Sequence, residues 1–195
     1  MVGVVLAAGT SSRLGRPKQL LELSGKPMLR HVVDAALASP LDEVLVVLGH
    51  AAPQLAAILP ASTRLRTVYN PRFASGQSTS VRAGLEAAGS AQAAVVLLGD
   101  QPGVRPEAIG AVVEAWRKGA GPVVQASYGG TPAHPTLLDR SVWEEVASVA
   151  GDEGARTVLS RHPEWRTLVE VGGDPPEDVD TEEDYLRVRA RFGGP

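Results

Sequence analysis

In VGVVLAAGTSSRLGRPKQLL, Val2–Leu21, an apolar, β-branched run leads straight into a loop of glycine, small hydroxyl residues and basic side chains. The run, Val2–Ala7, has no polar alternation and reads as a strand covered on both faces, as in a parallel sheet. A small, flexible, basic loop behind such a strand suits an anion. Its glycines allow close backbone approach, main-chain amides can meet phosphate oxygens, and Arg13 and Lys18 bring charge. The chain has only three lysines, and two of them, Lys18 and Lys26, lie in or just beyond this loop.

Outward from this stretch, apolar runs alternate with helical patterns. EVLVVLG (Glu43–Gly49), LRTVY (Leu65–Tyr69), AAVVLLG (Ala93–Gly99) and PVVQAS (Pro122–Ser127) read as further strands. Leu29, Val32, Val33, Ala36 and Leu37 recur at helical spacing, as do Ile109, Val112, Val113 and Trp116, with Pro106 suited to a first helical turn. This order predicts an α/β sheet with right-handed crossovers. After Ser127 the pattern loosens. TPAHPTLLD carries two prolines and reads as a short extended segment, followed by helices around Val142–Val149 and Ala155–Ser160. A last strand near Thr167–Val171 leads to a final helix, where Thr181 and Asp184 are spaced as a capping box. The chain reads as one domain over residues 1–195, with an acceptor-facing part in its second half.

Composition excludes several classes. With 195 residues, 44% hydrophobic and 21% charged, the chain is of ordinary globular make-up. A net charge of −3 leaves no global basic field for nucleic acid, so any anion site is local. The absence of cysteine removes disulfides, thiolate catalysis and thiolate metal sites. No window approaches a membrane span, and Val2–Ala8 is too short for a signal-peptide core, so a cytoplasmic protein is expected.

In open α/β sheets ligands bind at the carboxyl ends of strands, so the loops there carry the candidates. The first loop is neither a GxxxxGK[ST] phosphate loop nor a GxGxxG dinucleotide fingerprint. In LLGDQPGV, Asp100 follows a strongly apolar strand, where an unpaired charge is costly and a cation would offset that cost. Mg²⁺, which takes one or two carboxylates plus phosphate oxygens, fits that position, as does a plain turn-forming Asp. In DVDT, Asp180 is either a second metal carboxylate or a helix-start acid favoured by the helix dipole. NPRFASGQSTSV, Asn70–Val81, offers small polar groups to a base or ribose, although Ser78 or Ser80 could simply cap the helix. His134 and GDEGAR, Gly151–Arg156, are polar islands without an obvious packing role.

Together these motifs resemble a known family. LAAGTSSRLGRPKQLL resembles the signature LAAGxSSRxGxPKxLL of the nucleotidyltransferases of the molybdenum cofactor type. NPRFASGQSTSV, GDQP, TPAHP, GDEGAR and DVDTEEDY follow in family order, from Val4 to about Tyr185. The chain looks most like a molybdenum cofactor cytidylyltransferase, since LAAG resembles the cytidylyl branch. The resemblance implies a Rossmann-like three-layer α/β fold with a mostly parallel mixed sheet, of the nucleotide-diphospho-sugar transferase kind. It implies Mg²⁺-dependent transfer of CMP from CTP to the phosphate of a molybdopterin-type cofactor, with release of pyrophosphate. Carried over by position, Leu6, Ala7, Ala8 and Gly9 line the nucleotide, Arg13 and Lys18 neutralise its phosphates, and Asn70, Gly76 and Ser80 contact ribose and base. Asp100 and Asp180 hold the metal, and His134, Asp152 and Arg156 face the pterin acceptor. A molybdoenzyme or a maturation chaperone would receive the product. Base choice stays open at Gln77, where the superfamily varies, and so does the acceptor, since related enzymes use other phosphorylated small molecules. A nucleotide-binding accessory protein is a rival reading. A nicotinamide-dependent oxidoreductase is another, disfavoured by the missing fingerprint.

Overall fold

The computed structural model describes residues 1–148 and 154–193. Seven strands form one sheet: β1 (Val2–Ala7), β4 (Glu43–Leu48), β5 (Leu65–Tyr69), β6 (Ala93–Leu98), β7 (Val123–Tyr128), β8 (Thr131–Asp139) and β9 (Arg166–Glu170), in the order β5-β4-β1-β6-β8-β7-β9. β2 (Glu22–Leu23) and β3 (Lys26–Pro27) make a separate small hairpin. Pairing is parallel except at β8, which runs antiparallel to both β6 and β7. Helices α1 (Met28–Leu37), α2 (Ala52–Ala57), α3 (Gln77–Ala87), α4 (Pro106–Arg117), α5 (Trp143–Ser148) and α6 (Gly154–Arg161) cover the sheet, and α7 (Glu182–Arg191) closes the described chain. This is the Rossmann-like three-layer α/β fold with a mostly parallel mixed sheet.

The layers follow from the side-chain pattern. β1 is buried along its whole length because its odd and even positions enter different cores. Val5 and Ala7 pack with α1 and α4 residues, whereas Val2, Val4 and Leu6 pack with Val81 and Leu85 of α3 and Trp143 of α5. A third, smaller core joins Leu21, Leu23 and Met28 to Val179, Tyr185 and Val188. It clamps α7 onto the β2–β3 hairpin that follows the basic loop. Tyr185 donates its hydroxyl to the Glu22 carbonyl (2.8 Å), and the Ser24 hydroxyl donates to the Phe192 carbonyl.

TPAHPTLLD, expected as a short extended piece, is the nine-residue strand β8. Its prolines are tolerated because β8 meets β6 only through Thr136–Asp139, so Pro132 and Pro135 lie outside that ladder. Against β7 the register shifts between Gln125 and Ala126, next to the same prolines. Of the two readings open for Ser78 and Ser80, the helix cap is not what the structure has. Helix α3 starts after Gly76 (φ 105°) with no capping side chain, and Thr79 instead donates to the Gly76 carbonyl (2.8 Å). The capping box on α7 is as expected, with the Asp184 amide donating to the Thr181 hydroxyl (3.1 Å) and the Thr181 amide to the Asp184 carboxylate (2.9 Å).

Candidate active site

Strand order reverses between β1 and β6, because β4 and β5 extend from one side of β1 while β6 lies on the other. Such a switch point opens a crevice at the carboxyl edge. The two strand ends are held close there. The Gly99 amide donates to the Leu6 carbonyl (2.9 Å), and a Cβ on Gly99 would sit 2.9 Å from that oxygen and 3.1 Å from Ala7 Cβ. The loop after β1 carries Gly9–Lys18, and Asp100 follows β6 directly.

Across this crevice the Lys18 ammonium meets two carboxylates. Its Nζ is 2.5 Å from Asp100 Oδ2 and 2.6 Å from Asp180 Oδ1, and the Lys18 side chain is only 11% exposed. The backbone beneath it is fixed, since the Lys18 amide donates to the Ser11 hydroxyl (3.1 Å) and the 3₁₀ turn Lys18–Leu20 begins there. Burial pulls the ammonium pKa down, but Asp100 and Asp180 outweigh burial and hold it above the ordinary lysine value. Lys18 is therefore charged near neutral pH. Arg13 approaches the other oxygen of Asp180 at 3.3 Å and is 73% exposed, so it is free to turn toward an anion. Arg16 pairs with Glu182 at 2.9 Å, adding a second tie between the loop and α7.

Asp178 and Gln101 join the same cluster, and neither belongs to the expected site. Gln101 is buried and its Nε2 donates to Asp178 Oδ1 (2.9 Å), while its Oε1 is buried with no hydrogen-bond partner among the described residues. Burial, then the charge of Asp100, pushes the Asp178 carboxyl up, with Asp180 adding to the effect and the Gln101 hydrogen bond opposing it. The crevice thus gathers three carboxylates around one buried ammonium and one exposed guanidinium. Gln101 stands in GDQP and Asp178 in DVDT, so both were within reach of the motifs. Only the fold brings them together, 77 positions apart.

The other expected residues fall around this crevice. Leu6, Ala7 and Ala8 are buried at the end of β1, and Gly9 opens onto free space. Asn70, buried, donates from Nδ2 to the hydroxyls of Thr79 (2.9 Å) and Ser80 (3.0 Å), and its Oδ1 accepts from the Arg72 amide (2.9 Å). Asn70 and Ser80 therefore brace the turn at Gly76, the start of α3. His134 lies at the starting end of antiparallel β8, which is the carboxyl edge of its neighbour β6, and its Nδ1 bonds the Val96 carbonyl (3.2 Å). Its own carbonyl accepts from the Tyr128 hydroxyl (3.1 Å), so this polar island has a packing role after all. Asp152 and the Arg156 side chain lie outside the described residues.

Comparison with known proteins adds the family. The model of the MobA-like NTP transferase domain matches residues 3–165. The chain belongs to this family. It is 33% identical to nicotine blue oxidoreductase of Paenarthrobacter nicotinovorans over 96% of each chain. Rv0371c of Mycobacterium tuberculosis H37Rv, solved in complex with manganese, superposes with a TM-score of 0.80 at 31% identity, covering 97% of each chain. A nucleotidyl transferase from Methanothermobacter thermautotroptrophicus gives a TM-score of 0.81 at 26% identity, covering 98% of this chain and 96% of that one. The protein is a nucleotidyltransferase of the MobA-like family. The family match ends before Asp178, Asp180 and α7, so the second carboxylate of the crevice comes from a segment beyond it. Among the described residues no helix is long and apolar enough to cross a membrane.

Proposed function

We propose that this nucleotidyltransferase moves CMP from CTP to the phosphate of a molybdopterin-type molybdenum cofactor and releases pyrophosphate, with Mg²⁺ as its metal. The observation that carries the reading is the meeting of Lys18, Asp100 and Asp180 at the switch point, next to an open Gly9 and an exposed Arg13. A phosphate oxygen of the acceptor attacks the α-phosphorus in line, and pyrophosphate leaves. No protein nucleophile is needed, so the side chains position two anions and balance their charge. Lys18 and Arg13 serve the triphosphate, Leu6–Gly9 lie along the nucleotide, and Asn70, Gly76 and Ser80 shape the wall toward ribose and base. His134, Asp152 and Arg156 are assigned to the acceptor side.

The residues fit a divalent metal of the hard, oxygen-loving kind. No group of three or more metal-ligating side chains is arranged to hold an ion alone among the described residues. Two convergent carboxylates that leave the remaining positions to phosphate oxygens are the pattern Mg²⁺ favours. The buried, unpartnered Gln101 Oε1 beside Asp178 marks further polarity in the same place. Asp100 and Asp180 would hold the ion, which when bound neutralises charge on the phosphates.

The LAAG opening favours CTP, and TPAHP with GDEGAR favours the pterin acceptor. The test is pyrophosphate release with Mg²⁺ and molybdopterin-type cofactor, comparing CTP with GTP, ATP and UTP. Cofactor-dependent release with CTP is the expected outcome. Release with another triphosphate would replace the base, and release only with other phosphorylated small molecules would replace the acceptor. The full-length likeness to a protein named nicotine blue oxidoreductase favours a second reading, reduction by a nicotinamide cofactor. Binding of NADPH or NADH in place of a triphosphate would support it, against the missing GxGxxG.

A further inference from the structure

Lys18 stands where a metal would have to stand. Asp100 Oδ2, from the loop after β6, and Asp180 Oδ1, from the segment before α7 that bonds back to Asp100 through the Val179 amide (3.2 Å), converge on one point, and the Lys18 ammonium fills it at 2.5 and 2.6 Å. A divalent ion that Asp100 and Asp180 would hold and an ammonium lying between those carboxylates are mutually exclusive, on grounds of both volume and charge. The lysine is well able to leave. Its backbone is anchored by Ser11 and the Lys18–Leu20 turn, but the four-carbon side chain can swing while the anchor stays put. It also belongs to the basic loop itself, the segment proposed above to serve the triphosphate. Arg13, on the outer oxygen of Asp180, is 73% exposed and is released as easily.

We propose that Lys18 is an internal counter-cation that keeps free divalent metal out of the Asp100–Asp180 pair until a triphosphate arrives to take the ammonium over. Metal then loads with the nucleotide rather than before it. Without the triphosphate, a metal ion must break both short ion pairs of a buried ammonium, and separating buried charges from close partners is costly. With the triphosphate, the displaced ammonium finds phosphate oxygens and the exchange is balanced. The lysine thereby links the two substrate components of the site. A purely structural ion pair would hold the loops together without any such coupling to metal.

This inference rests on the proposed metal site but not on the identity of the nucleotide or the acceptor. The experiment titrates MnCl₂ into the intact protein and reads free Mn²⁺ by electron paramagnetic resonance, without nucleotide. Wild type, Lys18→Met and Lys18→Met/Asp100→Asn are compared, with far-UV circular dichroism to establish folding. Lys18→Gln is the substitute if the methionine variant does not fold. The expected result is at least tenfold tighter Mn²⁺ binding in Lys18→Met than in wild type, and loss of that gain in the double variant. With a non-hydrolysable analogue of whichever triphosphate the wild type binds present, the order reverses, because the variant lacks the cation that the triphosphate would take, and an unchanged order would overturn the coupling. Equal or weaker Mn²⁺ binding by the Lys18 variant alone would overturn the proposal, as would a gain that survives Asp100→Asn. Pyrophosphate release by the wild type decides the cytidylyl reading separately, so a failure there leaves the Mn²⁺ comparison intact.

Discussion

Gly99→Ala tests whether the switch point sets the geometry of the crevice. The new Cβ would lie 2.9 Å from the Leu6 carbonyl oxygen, 3.1 Å from Ala7 Cβ and 3.2 Å from Leu29 Cδ1. Leu29 can turn aside, but the first contact is backbone and the second is one bond from it. β1 and β6 must therefore separate by a few tenths of an ångström at their carboxyl ends, which also stretches the 2.9 Å bond from the Gly99 amide to Leu6. Overpacking of this kind costs about 1–3 kcal/mol, and a weakened hydrogen bond adds about 0.5 kcal/mol, so the expected loss is about 2 kcal/mol. For a chain of 195 residues that lowers Tm by about 4–8 °C. Asp100 is the next residue, so the same strain moves a carboxylate against Lys18, and kcat is expected to fall about tenfold or more. Gly9→Ala is the control: its Cβ would meet nothing within 4 Å, so stability should hold while triphosphate affinity changes. Urea unfolding and pyrophosphate release on both variants give the answer. A Gly99→Ala protein as stable and active as wild type would refute the reasoning that close contact at the switch point positions the site.

Asp100→Ala is expected to abolish transfer by removing one of the two convergent carboxylates, and an active variant with unchanged Mg²⁺ dependence would defeat that assignment. Thr181→Ala removes the hydroxyl that caps α7 and should cost about 1 kcal/mol in urea unfolding, with a fall in activity because Asp180 is its neighbour. No change in either quantity would separate the cap from the site. At Asp34, burial works upward on the carboxyl, but hydrogen bonds from Lys26 and Arg30, both at 2.7 Å, outweigh it and lower the pKa below 3.8. Its contribution is therefore present above pH 3.8 and lost as pH falls through the folded-state value. Asp34→Asn should lower stability at pH 7 by about 0.5–1 kcal/mol, given the pair's partial exposure, and by progressively less in acid. A difference that grows as the solution is acidified would contradict the sign.

Much of the fold is legible in local pattern. Val2–Ala7, Leu65–Tyr69 and the helix through Leu29 and Val33 fall where apolar period and β-branching put them, since burial on one or two faces dictates those residues. The α7 cap was readable for the same reason, its partners being three residues apart. β8 was legible only as an extended segment, because two prolines weaken the local strand signal while its pairing depends on which of its residues face β6. The start of α3 at Gly76 was legible, but what its serines bond to was not. Ser80 is taken by Asn70, and this pairing depends on how the Gly76 turn folds back.

The site divides in the same way. Arg13, Lys18, Asp100 and Asp180 were recognisable one by one, as cations in a glycine-rich loop and acids at the ends of apolar or helical segments. Their chemistry is a property of short stretches, so the sequence by itself determined which loops carry charge, and an anion as their guest belongs to the proposed function. That Lys18 is buried between Asp100 and Asp180, and that Gln101 reaches Asp178, only the tertiary structure decided. Those contacts depend on the reversal of strand order between β1 and β6 and on the clamp of α7 over the β2–β3 hairpin. Both are set by packing between segments up to 168 positions apart, for which no local pattern exists.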